Sequence, residues 1–419
     1  MAWDVVVVGG GVAGLVAARG LAATGRDVLL LEASPQVGGK LRSAEVAGLT
    51  VDVGAEAMLA RRPEGLDLAA EVGADLVHPT AATSGVWSRG ALRTLPRSLM
   101  GVPLDLDQLA ASGVLSPEGL ARATAETPTD VPDDVSVGDL VAARLGDEVV
   151  ERLVEPLLGG VYAGHARRIS AAAAVPQLLA MARRGALLDQ AATVPVSTAP
   201  VFATVPGGMG RLPGLVLDGG RFEARTAATV RALRRTGSGW ALTVGPTTRP
   251  ETVEADAVVL ATPAAPTARL LADVAPAAAA DLATIESASV AVVTLAFRAQ
   301  DVADPLFDRS GFLVPPVEQR AIKAATFSFA KWGWVRDLDP DVVVLRTSLG
   351  RHREEATLQP TDDGLVRVSL ADLGTLVGIT ARPVDTHVQR GGGALPQYAV
   401  GHLDRVVRIR AAVAELPGL

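Results

Sequence analysis

The sequence predicts an α/β plus α+β fold: a discontinuous Rossmann-like nucleotide-binding domain, a second region built on an antiparallel sheet, and a helical insert. Three observations lead there. Residues 5–21, "VVVVGGGVAGLVAARGL", read as strand, glycine turn and helix. A long stretch from about 105 to 195 has helical periodicity. A buried strand, "ADAVVLATPA", returns after a β-meander far downstream and suits the sheet that the first unit opens.

Val5 to Val8 are β-branched and apolar, which suits a strand covered on both faces. Gly9, Gly11 and Gly14 then fit G-x-G-x-x-G. Gly9 permits the tight turn, Gly11 lets the backbone approach a pyrophosphate, and Gly14 lets the helix sit close on the strand. The turn as a whole, including Gly10, Val12 and Ala13, is the predicted phosphate contact, because bare N–H groups and the helix dipole favour an anion there. The helix is expected to stop at Gly25. A second strand, Val28 to Leu31, ends in Glu32, followed by Ala33. An acid at that spacing binds ribose hydroxyls rather than a 2′-phosphate.

Composition sets the limits. The chain has 419 residues, enough for two or three domains. A net charge of −7 argues against nucleic acid as a partner. Cys is absent, which excludes disulfides, thiol redox chemistry, iron–sulfur clusters and a cysteine-linked flavin. The five His residues lie far apart in sequence, so no metal site is expected. No signal peptide or spanning segment is legible, so a cytoplasmic protein is expected, with loose attachment to a membrane surface left open.

The remaining elements follow in order. "ASPQVGGKLRS" supplies Gly38, Gly39, Lys40 and Arg42 after the second strand. "LTVDVGAEAMLARRPE" reads as strand, glycine turn and helix, and "GVWSRGALRTLP" as short strands. In the helical stretch Ser136 is a candidate N-cap with Asp139 in the capping-box position. "VAVVTLAF", "KAATFSFAKW" and "DVVVLRTSLG" read as strands, and Val366 to Leu376 as a late helix. The expected division is residues 1–75, 200–265 and 385–419 for the nucleotide domain. Residues 76–100 and 266–384 form the antiparallel-sheet domain, and 101–199 the helical one.

At residues 9–43 the sequence resembles the flavin-dependent amine oxidase superfamily, whose GG[KR]xx[ST] turn is matched by Gly38 to Ser43. The resemblance implies non-covalent FAD as cofactor, with Gly39 and Lys40 extending the grip on the pyrophosphate. The words "VDVGAEAMLARRPE", "EPLLGGVYAG", "FATVPGGMGRLP" and "LPQYAVGHLDRV" are similar to porphyrinogen oxidases, which aromatise coproporphyrinogen III or protoporphyrinogen IX in haem synthesis. By that likeness Glu32 binds the adenosine ribose, and Gly54, Ala55, Glu56 and Ala57 lie beside the flavin ring. Val230 would present its backbone to the adenine, or be a plain strand residue. No general base is implied, and the catalytic residues stay unassigned.

"LPRSLMGVP", with Met100 where the eukaryotic branch tends to carry Arg, resembles the branch that takes coproporphyrinogen III. The implied reaction is hydride transfer from meso carbons to flavin, with O2 as final acceptor and H2O2 as product. Candidate contacts to the substrate's propionates are Arg61, Arg62, Arg93, Arg97, Arg167 and Lys331, with only one or two expected to touch it. A large, mainly apolar cavity with cations at its mouth is expected around "EPLLGGVYAGHARRIS". There His165 replaces the family's usual acid, and an Asp in its place is expected to change turnover little. Alternatives are protoporphyrinogen IX as substrate, an amine oxidase or carotenoid desaturase, and a non-catalytic tetrapyrrole binder. The likeness also implies transient contact with the next haem-pathway enzyme. Family members place a Trp at the position of Gly391 and continue beyond "AAVAELPGL" with a strand and closing helix. A chain stopping at Leu419 is thus expected to hold FAD weakly and turn over slowly, unless the natural protein carries a tail.

Overall fold

The computed structural model describes residues 2–419 apart from 192, 303–305 and 307. Trp3–Val8 is the centre of a six-stranded sheet, in the order Glu223–Arg225, Val28–Leu31, Trp3–Val8, Glu251–Leu260, Trp240–Val244, Val230–Arg235. The first four strands are parallel and the last two add an antiparallel meander. Val6, Val7, Leu29 and Leu30 are fully buried, as two covered faces demand. Helix Val12–Ala23 packs on this sheet and ends at Thr24, with Gly25 following at φ +84°.

A seven-stranded sheet forms the second region, in the order Asp385–Pro396, Ser287–Arg298, Val342–Leu349, Ile322–Thr326, Arg309–Leu313, Thr83–Ser88, Ala91–Thr94. It is antiparallel except where Arg309–Leu313 runs parallel to Thr83–Ser88. Helix Asp362–Val377 contributes to the core on one face of this sheet. The helical insert has its own core, which includes Val137, Leu140, Val150, Leu158 and Leu178. Ser136 caps helix Val137–Leu145 as expected: its Oγ accepts from Asp139 N at 3.0 Å and donates to the Asp139 carboxylate at 2.7 Å.

Two domain boundaries lie elsewhere than the sequence suggested. Residues 385–396 are an edge strand of the second sheet, beside Ser287–Arg298, and not part of the nucleotide domain. The local sequence of a strand does not name its partner. Helices Ala264–Leu271 and Pro276–Ala283 share a core with Val6, Trp240 and Val258, so they belong to the nucleotide sheet rather than to the second one. Helix His402–Ala414 packs on the same layer. A third difference is local. "KAATFSFAKW" is strand only to Thr326, and Ser328–Lys331 turns into a short helix. Phe327 O accepts from both Ala330 N and Lys331 N, which ends the extended run.

Candidate functional site: a trough from Glu32 to Glu56

The glycine turn behaves as its spacing requires. Gly9 sits at φ +108°, and a Cβ on Gly14 would lie 1.8 Å from Gly9 O, so neither position accepts a side chain. Gly11 differs: a Cβ there would meet nothing within 4 Å. The space above it is open, and it lies at the N-terminus of helix Val12–Ala23. Val12 and Ala13 are exposed at that same end. The Glu32 carboxylate accepts from Gly10 N at 2.6 Å and from Ser34 N at 2.7 Å, which fixes it beside the turn.

Backbone contacts extend this corner into a continuous line. Gly38 N donates to Gly10 O at 2.8 Å. A Cβ on Gly39 would lie 3.1 Å from Gly11 Cα. Ala55 N donates to Lys40 O at 3.0 Å, and Gly54 N to Arg42 O at 3.1 Å. These contacts bring the predicted residues Gly9 to Gly14, Glu32, Gly39, Lys40, Gly54 and Ala55 into one contiguous line, here called the trough, with Glu56 and Ala57 next along the chain. Ala33 is exposed just past Glu32. Val230 lies near the Glu32 end, because Ala228 N donates to Glu32 O at 2.8 Å. The donor set fits an extended dinucleotide: a carboxylate for a ribose, a bare helix N-terminus for phosphates, and glycine backbone beyond.

At the far end Glu56 is not free to bind a ligand through its carboxylate. Lys331 Nζ donates to it at 2.6 Å, Arg346 at 3.2 Å and Ser328 Oγ at 3.3 Å. Burial alone would raise this carboxyl, but the charges of Lys331 and Arg346 outweigh it and hold the pKa at about 2. Arg346 escaped the sequence reading. Its signal was there: a lone charge in the apolar run "VVVLRTSL". Asp52 was missed too; it accepts from Met209 N at 2.7 Å and Gly210 N at 2.8 Å and ties the 209–211 turn to the trough.

The candidate substrate cations fare unevenly. Lys331 is committed to Glu56 rather than free. Arg62 pairs with Glu64, while Arg61 is exposed beside it. Arg97 donates to Val194 O at 2.6 Å and Pro195 O at 3.1 Å, and Arg93 to Ser88 O at 2.9 Å, so both hold loops together. Arg167 pairs with Asp139 and Asp147. Of the six, Lys331 is the one the structure brings to the trough.

The segment "EPLLGGVYAGHARRIS" does border a cleft of about 530 Å³, lined by Val150, Glu155, His165, Arg168, Pro316 and Val317 among others. Its exposed lining is mainly apolar, as expected, with Arg167 and Arg168 as cations and Glu151 and Glu155 as acids among the lining residues. His165 Nδ1 lies 3.0 Å from Glu155, and its Nε2 lies 3.0 Å from His352 O. The contact to Glu155 raises the His165 pKa against the opposing effect of burial. Stability from this pairing is full below the ordinary imidazole pKa and is lost as pH rises through the raised one. The geometry adds an expectation about stability for an acid here. His165→Asp should set a carboxylate against Glu155 and lower stability by roughly 1 kcal/mol. Thermal melts at pH 6 and pH 9 check this; a difference from wild type that did not shrink at the higher pH would contradict it.

Residues 12–411 match the family described as flavin containing amine oxidoreductase. The chain belongs to that family. It is thus a flavin-dependent oxidoreductase. Coproporphyrinogen III oxidase of Mycobacterium tuberculosis (strain ATCC 25618 / H37Rv) is 40% identical over 427 residues, spanning 97% of this chain and 90% of the relative. The Bacillus subtilis (strain 168) protein of that name is 29% identical over 99% of this chain and 92% of its own length. A crystal structure from Exiguobacterium sp. 255-15 superposes with a TM-score of 0.86 at 30% identity, covering 99% of this chain and 92% of that one. No helix among the described residues is long and apolar enough to cross a membrane. No group of three or more His, Asp or Glu among them could hold a metal ion.

Proposed function

We propose that this chain oxidises coproporphyrinogen III to coproporphyrin III with FAD. The observation that carries the reading is near-full-length likeness to proteins of that name, joined to a trough that fits a dinucleotide from Glu32 to Ala57. When bound, FAD supplies a two-electron acceptor for hydride from a meso carbon, with O2 taking the electrons onward to H2O2. Glu32 holds the adenosine ribose. The N–H groups from Gly11 to Gly14 take the pyrophosphate, Lys40 offsets its charge, and Val230 lies on the adenine side. The Gly54–Ala57 backbone orients the ring end. Arg61, exposed and in no ion pair among the described residues, is the candidate cation for a substrate propionate, while Lys331 keeps its pairing with Glu56. The protein acts in the cytoplasm.

Assaying both porphyrinogens on the FAD-loaded chain tests the reading. A kcat/KM at least about tenfold higher for the coproporphyrinogen, the effect of one well-placed contact, is the expected result. Preference for protoporphyrinogen IX would move the assignment to that reaction. A chain that retains no flavin and oxidises neither would favour a tetrapyrrole-binding relative.

A further inference from the structure

Arg346 occupies the Val342–Leu349 strand of the seven-stranded sheet, yet its guanidinium serves a loop of the other domain. It donates to Gly54 O at 2.8 Å, Asp52 O at 3.1 Å and Glu56 Oε2 at 3.2 Å. One planar group therefore fixes three alternate residues of the segment that closes the trough. The latch is largely dry: the Arg346 and Glu56 side chains are each 12% exposed and Lys331 is 16% exposed. Lys331 holds the other Glu56 oxygen, so the carboxylate cannot swing away from Arg346. The contacts fall at one end of the trough only. Glu32 and Gly10, at the other end, are held by the nucleotide sheet and its first turn.

We propose that Arg346 is a positioning residue for the flavin-ring end of the cofactor and not for its adenosine end. The inference rests on the FAD reading given above. Among the described residues Arg346 is the side chain of the second sheet that donates to the Asp52 and Gly54 carbonyls, and it adds to the tethers from Arg42 O and Lys40 O on the N–H side of the segment. Without it the Gly54–Ala57 backbone gains freedom that binding the ring must then remove. The ribose and phosphate contacts are left as they were. The division makes a thermodynamic signature that general destabilisation would not produce.

The test titrates FAD and ADP separately into the flavin-stripped chain, for the native sequence, Arg346→Met and Glu32→Gln. Arg346→Met should weaken FAD by about tenfold or more, the scale of a lost charged hydrogen bond, and leave ADP within about twofold. Glu32→Gln should weaken both ligands. Arg346→Lys keeps the charge without the three-way fork and should fall between native and Met for FAD alone. It also serves if the Met variant does not fold. Equal losses of FAD and ADP, or unchanged FAD affinity, would overturn the inference. A native chain that binds ADP but not FAD would instead sink the flavin reading itself, and this inference with it.

Discussion

Leucine at position 11 should leave the chain folded and strip it of flavin. Gly11 has φ −70° and ψ 173°, an extended conformation open to any residue. A side chain there meets no protein atom within 4 Å at its Cβ, so the fold has no reason to resist it. What the side chain does fill is the space over the helix N-terminus, where the phosphates must approach the bare N–H groups. A branched side chain keeps them several ångströms away. Retained flavin should drop below about one tenth of the native value, since loss of even one charge-assisted hydrogen bond exceeds a factor of ten. The ratio of visible to ultraviolet absorbance after purification measures this. The melting temperature of the flavin-free chain should stay close to native. The paired control is Gly14→Leu. Its Cβ would collide with Gly9 O, so that variant should lose the fold itself. Full flavin occupancy in Gly11→Leu would mean that the cofactor does not pass over this turn.

The contrast between these glycines shows what could be read without a structure. Strand Val28–Leu31 with Glu32 at its end, the helix from Val12 and the Ser136 cap were legible because each is written within a few consecutive residues. Periodicity and terminators lie in the chain itself. The Glu56 latch was not legible, because it joins positions 56, 331 and 346 from three separate elements. The Glu56 carboxylate faces the protein, held by Ser328, Lys331 and Arg346, which its local sequence does not announce. That Arg93 and Arg97 donate to backbone carbonyls was hidden for a related reason. An Arg in a loop can serve a ligand or a carbonyl, and the sequence does not say which carbonyls lie within reach. Sheet membership of 385–396 was hidden likewise, since a strand's pattern fixes its faces and not its neighbour.

Arg144→Met should cost the helical insert about 3–5 kcal/mol, the range for removing one partner of a buried ion pair. Arg144 lies on helix Val137–Leu145 and is 1% exposed. Its guanidinium donates to Gly185 O at 2.6 Å, Ala182 O at 2.7 Å and Thr129 O at 2.8 Å. Ala182 and Gly185 are at the end of helix Pro176–Arg184, whose last carbonyls have no partner within the helix. The fourth contact, at 3.4 Å, is Glu126, whose own carboxylate accepts from Leu187 N and Leu188 N. Methionine matches the length and the apolar stem but leaves three buried carbonyls without a donor and Glu126 without its counter-charge. Several segments of the insert meet at this one side chain, so its loss should loosen them together. Hydrogen exchange should therefore rise across 126–129 and 182–188 while the nucleotide sheet stays protected. Adding Glu126→Gln should return part of the stability, because the uncompensated charge goes while the amide oxygen still accepts from one of Leu187 N and Leu188 N. A single variant as stable as the native chain, or a double variant worse than the sum of the two singles, would show that the pair is not what joins these segments.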